Sequence, residues 1–349
     1  MPVHEQYMHR CIQLAKLGAG YVASNPMVGA VLVHNDRVIG EGFHKLYGQA
    51  HAEVNCIASV PEADRPLIAH STLYVSLEPC SHFGKTPPCA SLVIEHKIPR
   101  VVVGCTDPFP QVRGKGIALL REAGIEVTTG VLEQECIELN KRFFTFQLQH
   151  RPYIVLKWAQ SANGRMARTD RARFGISNDV SRREVHKWRS EEAAILVGTN
   201  TAFFDDPELT NRFWHGPQPT RLIVDMELRL PSSLKLFNRQ VRTIVFNTIK
   251  HEEDGQLIYY QVTNDVSLVH QMVHALYQLK IQSVLVEGGA MLLQSFIDEH
   301  MWDEIRIITN EELVMPDGIA APFFERAFKV STGRLLTDRH DVYKPIPRT

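Results

Sequence analysis

One histidine and two cysteines constrain what this chain can fold into more than any other feature of its sequence. His51 is followed two positions later by Glu53, and Cys80 and Cys89 come further along. An imidazole and two thiolates can fill three of the four tetrahedral positions of a zinc ion and leave the last one open for water. Because a zinc site with an open position is catalytic, the pattern predicts His51, Cys80 and Cys89 as ligands of one catalytic zinc ion per chain.

Glu53 fits the role of a proton carrier better than that of a fourth ligand, since a carboxylate standing over the water can shuttle its proton. H-x-E followed by P-C-x-x-C is the signature of zinc deaminases, and this chain has it with a longer gap, residues 81–88, between the cysteines. Two alternatives stay open. The cysteines could be ordinary buried thiols, or His82 could complete a closed structural site, which would leave Glu53 without a role.

Length and composition indicate an ordinary globular protein with two domains. The chain has 349 residues, which is long for one hydrophobic core, with 44% hydrophobic and 22% charged residues. Its net charge of -1 gives no general electrostatic reason to bind nucleic acid or an anionic membrane. No signal peptide or membrane-spanning run is present, so we expect a cytoplasmic protein. The remaining cysteines are expected to be reduced core thiols: Cys11, Cys56, Cys105 and Cys136.

Hydrophobic periodicity predicts an α/β sandwich in the first domain, residues 1–147. A helix from about His51 would carry the imidazole and Glu53 on its first turn. The other predicted elements are a helix around residues 8–15, strands 28–33, 38–43, 72–77, 100–104 and 125–129, and helices from about residue 88 and over 116–123.

A second domain, residues 150–349, is expected after a linking segment over 140–150. Gly288 and Gly289 follow a strand and open a helix, where backbone N–H groups could meet a phosphate. No G-x-G-x-x-G occurs, so a Rossmann domain is not predicted. The predicted elements are strands 153–158, 193–198, 221–224, 241–246, 283–286 and 304–308, with helices 266–279 and 290–297.

Over essentially its whole length the chain resembles the family of bifunctional riboflavin-biosynthesis deaminase/reductases. The resemblance implies an N-terminal cytidine deaminase-like α/β/α domain followed by a dihydrofolate reductase-like α/β domain. Its motifs are His51-Ala52-Glu53, Glu78-Pro79-Cys80-Ser81-His82, Lys85-Thr86-Pro87-Pro88-Cys89, Asn25-Pro26-Met27-Val28-Gly29, Gly40-Glu41-Gly42-Phe43-His44, Leu156-Lys157, Ala194-Ile195-Leu196-Val197-Gly198, Asp205-Asp206-Pro207 and Val286-Glu287-Gly288-Gly289.

Two consecutive reactions follow from the resemblance. The deaminase would use zinc and Glu53 to convert 2,5-diamino-6-(5-phosphoribosylamino)pyrimidin-4-one into 5-amino-6-(5-phosphoribosylamino)uracil. The reductase would use NADPH to turn the ribosyl group of that product into a ribityl chain. Small phosphorylated pyrimidines are therefore the expected partners, with no nucleic acid or membrane, and we expect a homo-oligomer.

The resemblance also implies site residues. Taken alone, Lys157 would close the apolar strand 153–156 and reach solvent, and Arg189 would lie on a solvated helix face. By resemblance, Asn25, His44, Lys85 and Thr86 contact the deaminase substrate; Lys157, Arg189, Leu209, Arg212 and Glu287 line the reductase substrate site; Thr201, Asp205 and the turn Gly289, Ala290, Met291, Leu292, Leu293, Gln294 and Ser295 meet NADPH. The chain departs from the family pattern at Phe109, Asn163, Gly175 and Met226.

Two other classes of protein remain open from the sequence. One is a zinc deaminase of another nucleobase or of a tRNA base, with an inactive or unrelated second domain. The other is a zinc-stabilised binding protein without catalysis. The neutral charge balance argues against a tRNA substrate, and Glu53 argues against a purely structural zinc site.

Overall fold

The computed structural model describes residues 3–81, 87–110, 112–170 and 174–347, and its contacts divide the chain into two compact units, Met1–His150 and Arg151–Thr349. Each unit builds its own sheet and its own cores. None of the helices within the described residues combines the length and apolar character needed to cross a membrane.

The first unit is built on a five-stranded sheet in the order β2-β1-β3-β4-β5. Strand β1 runs antiparallel to β2 and β3, while β3, β4 and β5 are parallel. The elements are α1 (Val3–Lys16), β1 (Gly29–His34), β2 (Arg37–Phe43), α2 (Ala52–Ala58), a 3₁₀ helix (Glu62–His70), β3 (Thr72–Leu77), α3 (Cys89–Glu95), β4 (Arg100–Cys105), α4 (Lys115–Glu122), β5 (Glu126–Thr129), α5 (Glu133–Leu139) and α6 (Lys141–Gln149).

Both faces of this sheet are covered by helices, which explains why its central strands are apolar on both sides. Ala30 and Leu32 of β1 pack in one core with residues of α2, α3 and α4. Val31 and Val33 point the other way and pack in a second core with residues of α1 and α5. The predicted α/β sandwich is therefore confirmed, and the predicted strands 28–33 and 38–43 pair antiparallel as β1 and β2.

The second unit is built on a ten-stranded sheet in the order β11-β12-β10-β9-β8-β13-β6-β14-β17-β16, beside a two-stranded sheet of β7 and β15. The strands from β12 to β14 in this order are parallel, and β11, β17 and β16 are antiparallel to their neighbours. The elements are β6 (Tyr153–Ser161), β7 (Arg165–Ala167), α7 (Asp179–Glu191), β8 (Ala194–Val197), α8 (Thr199–Asp205), β9 (Thr220–Val224), a 3₁₀ helix (Lys235–Phe237), β10 (Thr243–Asn247), β11 (Glu252–Asp254), β12 (Leu257–Gln261), α9 (Leu268–Gln278), β13 (Ser283–Gly288), α10 (Ala290–Asp298), β14 (Glu304–Asn310), β15 (Ile319–Ala320), β16 (Ala327–Leu335) and β17 (Asp338–Pro345).

Alternation along β6 again divides the core between two faces. Ile154 and Leu156 pack with residues of α9 and α10. Tyr153 and Val155 pack with residues of α7 and α8. Because the central strands are parallel, the residues at their carboxyl ends meet at one edge of the sheet, which is where open α/β sheets bind ligands.

Two details of the element boundaries differ from the sequence-based expectation. The expected linking segment over 140–150 is largely helical, because Phe143 and Phe146 are spaced to bury one side of α6. The expectation that Lys157 closes its strand is wrong, since β6 continues to Ser161. Pairing of β6 with the parallel strand β14 continues from Val155 to Ser161 and supports the additional residues.

Candidate active sites

His51, Cys80 and Cys89 come together in the first unit at the start of two helices. His51 is the N-cap of α2, and Cys89 is the first residue of α3. The Nδ1 atom of His51 lies 3.6 Å from the Sγ atom of Cys80 and 3.4 Å from that of Cys89. Within the described residues, these three form the one group of potential ligands close enough to hold a metal ion.

The spacing of these atoms fits tetrahedral zinc. Zn–S bonds of ~2.3 Å and Zn–N bonds of ~2.1 Å place the nitrogen and sulfur atoms of a tetrahedron roughly 3.6 Å apart. Hydrogen bonds from the Cys89 thiol and from His51 lower the pKa of Cys80 to about 4. The Cys89 thiol would lose its hydrogen bond to Cys80 on ionising, and this loss together with burial raises the pKa of Cys89. The backbone N–H of Cys89 also donates to the Cys80 sulfur at 3.3 Å. Cys80 is therefore prepared to act as a thiolate ligand.

Glu53 stands beside the triad on the first turn of α2, as the sequence predicted. Its side chain is buried, with the residue 3% exposed. Burial, followed by the negative charge of Cys80, raises the pKa of Glu53 to about 7. A carboxyl group with a pKa near neutrality can both accept and release a proton, which is the property of a general acid and base.

Asn25 and His44 meet at the same site. The Nδ2 atom of Asn25 lies 3.1 Å from Nε2 of His44, and Nδ1 of His44 lies 3.0 Å from the carbonyl oxygen of Ala50. Because a carbonyl oxygen only accepts, we assign the ring proton to Nδ1, and Nε2 then accepts from the Asn25 amide. The His44 ring packs edge-on against His51 with centroids 5.3 Å apart. Burial lowers the pKa of His44.

A cavity of about 330 Å³ opens in front of the triad. Asn25, His44, His51, Glu53 and Cys80 all line it, and its size suits a small molecule. Sequence reasoning missed the other wall residues, which include Tyr47, Gln49, Asp107, Phe109, Phe143 and Gln147. Lys85 and Thr86, expected here, lie outside the described residues.

Among these wall residues Asp107 is the buried ionisable group. Burial, with the charges of Glu78 and Cys80, raises the pKa of Asp107 to about 6. The backbone N–H of Phe109 donates to its Oδ1 atom at 2.8 Å. The dipeptide Asp107-Pro108 after β4 was the signal in the sequence that could have pointed to this position.

In the second unit, Arg189 and Glu287 form a buried ion pair. Nε and Nη2 of Arg189 donate to the two carboxylate oxygens of Glu287 at 2.6 and 2.7 Å, and Nη1 donates to the Thr210 carbonyl. The expectation that Arg189 lies on a solvated helix face is therefore wrong. Burial would raise the pKa of Glu287, but the charge and hydrogen bonds of Arg189 outweigh it and lower the pKa to about 2.

Lys157 lies in the middle of β6 and faces the same ion pair. Burial lowers its pKa, and the opposing charges of Glu287 and Arg189 act on it as well. Glu287 is thus near enough for its charge to act on Lys157, but its carboxylate is bound by Arg189.

Arg212 joins this cluster through a histidine, His186, that sequence reasoning missed. The backbone N–H of Arg212 donates to Nδ1 of His186 at 3.0 Å, and Leu209 is buried in the core beneath. Burial, together with Arg189 and Arg212, lowers the pKa of His186 to about 4. His186 stands three residues before Arg189 on α7, and this spacing on one helix face is the signal that could have revealed it.

The turn from β13 into α10 is held by Thr201 of α8. The backbone N–H of Gly289 donates to Thr201 Oγ1 at 2.9 Å, and Gly289 has a φ of 40°, which favours glycine. A Cβ atom at Gly288 would lie 2.9 Å from the Thr201 side chain. Thr201 and Gly289 are thus together, with Asp205 one turn further along α8. Residues 290–295 form the start of α10, in which Met291 is exposed and the Leu293 side chain is buried in the core.

The departures from the family pattern have separate surroundings. Asn163 holds a turn, since its amide donates to the Met315 carbonyl at 2.7 Å and its oxygen accepts from the Met315 N–H. An aspartate there could not donate. Within the described residues, no atom outside the adjacent residues of the chain would lie within 4 Å of a Cβ atom on Gly175, and Met226 packs against the core. Phe109 lines the cavity of the first unit.

Two family profiles divide the chain between them. The cytidine and deoxycytidylate deaminase zinc-binding region matches residues 1–105, which contain the triad and Glu53. The RibD C-terminal domain matches residues 152–311 of the second unit. The fold and the sites therefore define a zinc-dependent deaminase joined to a reductase.

Similar proteins cover almost the whole chain. The riboflavin biosynthesis protein RibD of Aquifex aeolicus is 40% identical over 323 residues, 91% of this chain and 89% of that protein. The structure of Acinetobacter baumannii RibD superposes with a TM-score of 0.90 at 32% identity and covers 99% of both chains. A Thermotoga maritima diaminohydroxyphosphoribosylaminopyrimidine deaminase/5-amino-6-(5-phosphoribosylamino)uracil reductase gives 0.90 at 35% identity, covering 98% of this chain and 99% of its own.

The chain belongs to the RibD family of bifunctional deaminase/reductases of riboflavin biosynthesis. The resemblance and the two fold types expected from the sequence are confirmed. The first domain is of the zinc-binding type, in agreement with its His/Cys/Cys triad, and the second matches the C-terminal domain of RibD.

Proposed function

We propose that the first unit deaminates 2,5-diamino-6-(5-phosphoribosylamino)pyrimidin-4-one and that the second reduces the ribosyl group of its product with NADPH. The similar Thermotoga maritima protein is named for these two activities. The observation that carries the deaminase assignment is the buried carboxylate of Glu53 beside three potential zinc ligands, at the end of a cavity of about 330 Å³.

In the deaminase, His51, Cys80 and Cys89 would hold zinc, which when bound supplies a water activated for attack on the ring carbon that bears the amine. Glu53 would carry one proton from that water to the ring nitrogen, and then a second proton from the attached hydroxyl group to the amine, which leaves as ammonia. Asn25 and His44, linked by their hydrogen bond, would orient the substrate from the opposite side of the cavity. Lys85 and Thr86 complete the proposed substrate contacts.

For the reductase, NADPH brings the hydride, and the residues of the chain orient it against the opened ribose. We assign the substrate to Lys157, Arg189, Leu209, Arg212 and Glu287. The buried ion pair between Arg189 and Glu287 fixes both side chains, whereas the pair of Arg212 with Glu208 is exposed to solvent. Lys157 and Arg212 are therefore the cations that we assign to the ribose and its phosphate. The cofactor is assigned to Thr201, Asp205 and residues 289–295, where a helix start follows a glycine pair.

We further propose that the two domains correspond to residues 1–147 and 150–349, and that the protein works in the cytoplasm as a homo-oligomer without nucleic acid or membrane partners. The net charge of -1 and the free cysteines support the absence of anionic polymer partners and a reducing compartment. Exposed aromatic side chains such as Phe213 and Trp214 are consistent with contacts between copies.

A two-step assay tests the assignment. Purified, zinc-loaded protein should release ammonia from the diaminopyrimidine without NADPH, and should oxidise NADPH only once the deaminated pyrimidine is present. NADPH oxidation that is independent of the deaminated product would contradict the reductase assignment. Release of ammonia from cytidine, deoxycytidylate or a tRNA base, but not from the diaminopyrimidine, would favour a deaminase with another substrate.

A further inference from the structure

The glutamate of the Glu78-Pro79-Cys80 motif has no role in the mechanism above, yet its carboxylate is the most heavily used acceptor near the zinc site. Glu78 follows β3 directly and is 4% exposed. Its Oε1 atom accepts from the backbone N–H groups of Gly116 at 2.9 Å and Ile117 at 3.3 Å. Its Oε2 atom accepts from those of Gly114 at 2.9 Å and Asp107 at 3.2 Å. A side chain with four backbone donors is fixed in place.

Two of these bonds replace the missing cap of α4. The N-cap residue Gly114 offers no side-chain cap, and the first turn of α4 has no acidic residue. The first N–H groups of a helix need acceptors and favour a negative charge. Packing at this point is close, because a Cβ atom on Gly116 would lie 1.9 Å from the Pro79 carbonyl oxygen. The helix start therefore lies directly on the backbone that leads to Cys80.

The other two bonds fix both ends of one wall of the deaminase cavity. The backbone N–H groups of Asp107 and Gly114 donate to the same carboxylate oxygen, so both ends of the segment 107–114 are bound to Glu78. Among its described residues, Asp107, Phe109 and Val112 line the cavity. One carboxylate thus fixes the distance between this wall and the segment that carries Cys80.

Glu78 itself lies at the edge of the cavity, but its two carboxylate oxygens are occupied by four backbone N–H groups. We propose that Glu78 is a positioning residue of the deaminase, whose carboxylate holds the described residues of segment 107–114 as a wall against the bound pyrimidine. This inference rests on the proposed deaminase function. A wall that contacts the substrate equally before and during the reaction contributes to substrate binding, and its loss raises KM more than it lowers kcat.

The test is Glu78→Gln, which keeps the size of the side chain but turns one acceptor oxygen into a donor that faces two N–H groups. KM for the diaminopyrimidine should rise about tenfold or more, while kcat should change by less than about threefold. Zinc should remain at one ion per chain, and reduction of supplied deaminated pyrimidine should be unaltered. As a matched control, Glu41→Gln removes a carboxylate from its surface pair with Arg10 in the same unit and should leave KM unchanged.

A second variant separates positioning from simple stabilisation. Lys115 is exposed on the first turn of α4, so adding Lys115→Glu to Glu78→Gln returns a negative charge to the helix start. The melting temperature should recover in this double variant while KM stays raised. If Glu78→Gln alone does not fold, the kinetics are measured on the double variant.

Three results would overturn the inference: an unchanged KM in Glu78→Gln, loss of zinc from that variant, or a KM that recovers together with stability in the double variant. An unchanged KM would show that the wall does not depend on the carboxylate. The other two results would show that the carboxylate serves the metal ligand or the helix and not the wall. A wild-type protein that releases no ammonia from the diaminopyrimidine overturns the proposed function itself, together with this inference.

Discussion

Glu53 in the first unit and Glu287 in the second are both buried, but their neighbours shift the pKa values of the two carboxyl groups in opposite directions. Burial and the nearby Cys80 raise the pKa of Glu53 to about 7. Burial acts on Glu287 in the same direction, but its bidentate bond with Arg189 outweighs it and lowers the pKa to about 2. The first carboxylate is therefore suited to move a proton, and the second is suited to remain a fixed charge.

Glu53→Gln should abolish deamination without removing the metal. The amide keeps the size of the side chain but cannot carry a proton, and a general acid or base contributes ~10² to 10⁴ in rate. Because one carboxylate serves several transfers, we expect a loss at or beyond the top of that range. Steady-state ammonia release and zinc analysis are the measurements, with reduction of supplied deaminated pyrimidine as the internal control. Loss of zinc would make Glu53 a ligand, and near-normal deamination would end the proposed mechanism.

Lys157→Met should impair reduction alone. Lys157 faces the Arg189–Glu287 pair in the proposed substrate site, and losing ~1.4 kcal/mol of transition-state binding lowers the rate tenfold. We expect kcat/KM for reduction to fall by about tenfold or more, with deamination unchanged. Lys187→Met is the matched control, because Lys187 pairs with Glu184 on α7 and has no assigned contact with substrate. Equal reductase kinetics in the two variants would contradict a contact between Lys157 and the reductase substrate.

At the scale of secondary structure, α7 combines a charged sequence with a buried functional face. His186 and Arg189 lie on that face, while Arg182 and Lys187 pair with acidic neighbours on the same helix. The charge pattern therefore resembles that of a solvated helix, although Arg189 is paired with Glu287 across the fold. Burying a histidine beside two arginines also makes the stability of this unit depend on pH.

Below about pH 6.5 the unfolding free energy of the second unit should fall as the pH is lowered. In the unfolded chain His186 becomes protonated near its ordinary pKa, whereas in the folded chain it stays neutral down to about pH 4. One such proton contributes at most about 1.4 kcal/mol per pH unit. All the tryptophans, Trp158, Trp188, Trp214 and Trp302, belong to the second unit, so urea unfolding followed by their fluorescence between pH 7 and 5 measures it.

His186→Gln should reduce this slope, because glutamine can still accept from the Arg212 N–H but does not titrate. The exposed His270, changed to glutamine, is the control and should keep the wild-type slope. Identical slopes in wild type and His186→Gln would contradict the assignment to His186.

Sequence reasoning reached the elements and residues whose chemistry or local pattern is specific. Zinc restricts its ligands to a few residue types, so His51, Cys80 and Cys89 were recognisable, and short apolar stretches revealed the strands β1 and β2. Asp107 and Phe109 were not recognisable as cavity residues, because many kinds of side chain can line a cavity and they come from segments that are distant in the sequence. The ion pair of Arg189 depends on a partner 98 positions away, which no local pattern reveals.

For the whole molecule, the division into two units predicts fragments that work alone. Each of the core clusters draws its residues from one unit only, and α6 continues to Gln149. Residues 150–349 should fold cooperatively and reduce the supplied deaminated pyrimidine with NADPH, while residues 1–150 should bind zinc and release ammonia. Fluorescence-monitored unfolding and the two activity assays check this. A folded 150–349 fragment that binds no NADPH would contradict the assignment of Thr201, Asp205 and Gly289.

Separate cores also influence how such a chain can change over generations. Substitutions that share no partners act independently on stability, so a change in one hydrophobic interior leaves the other unaffected. By resemblance, the departures from the family pattern are Asn163, Gly175 and Met226 in the second unit and Phe109 in the first, whose zinc motif is intact. Natural selection can therefore adjust one activity of this protein without first having to compensate the other.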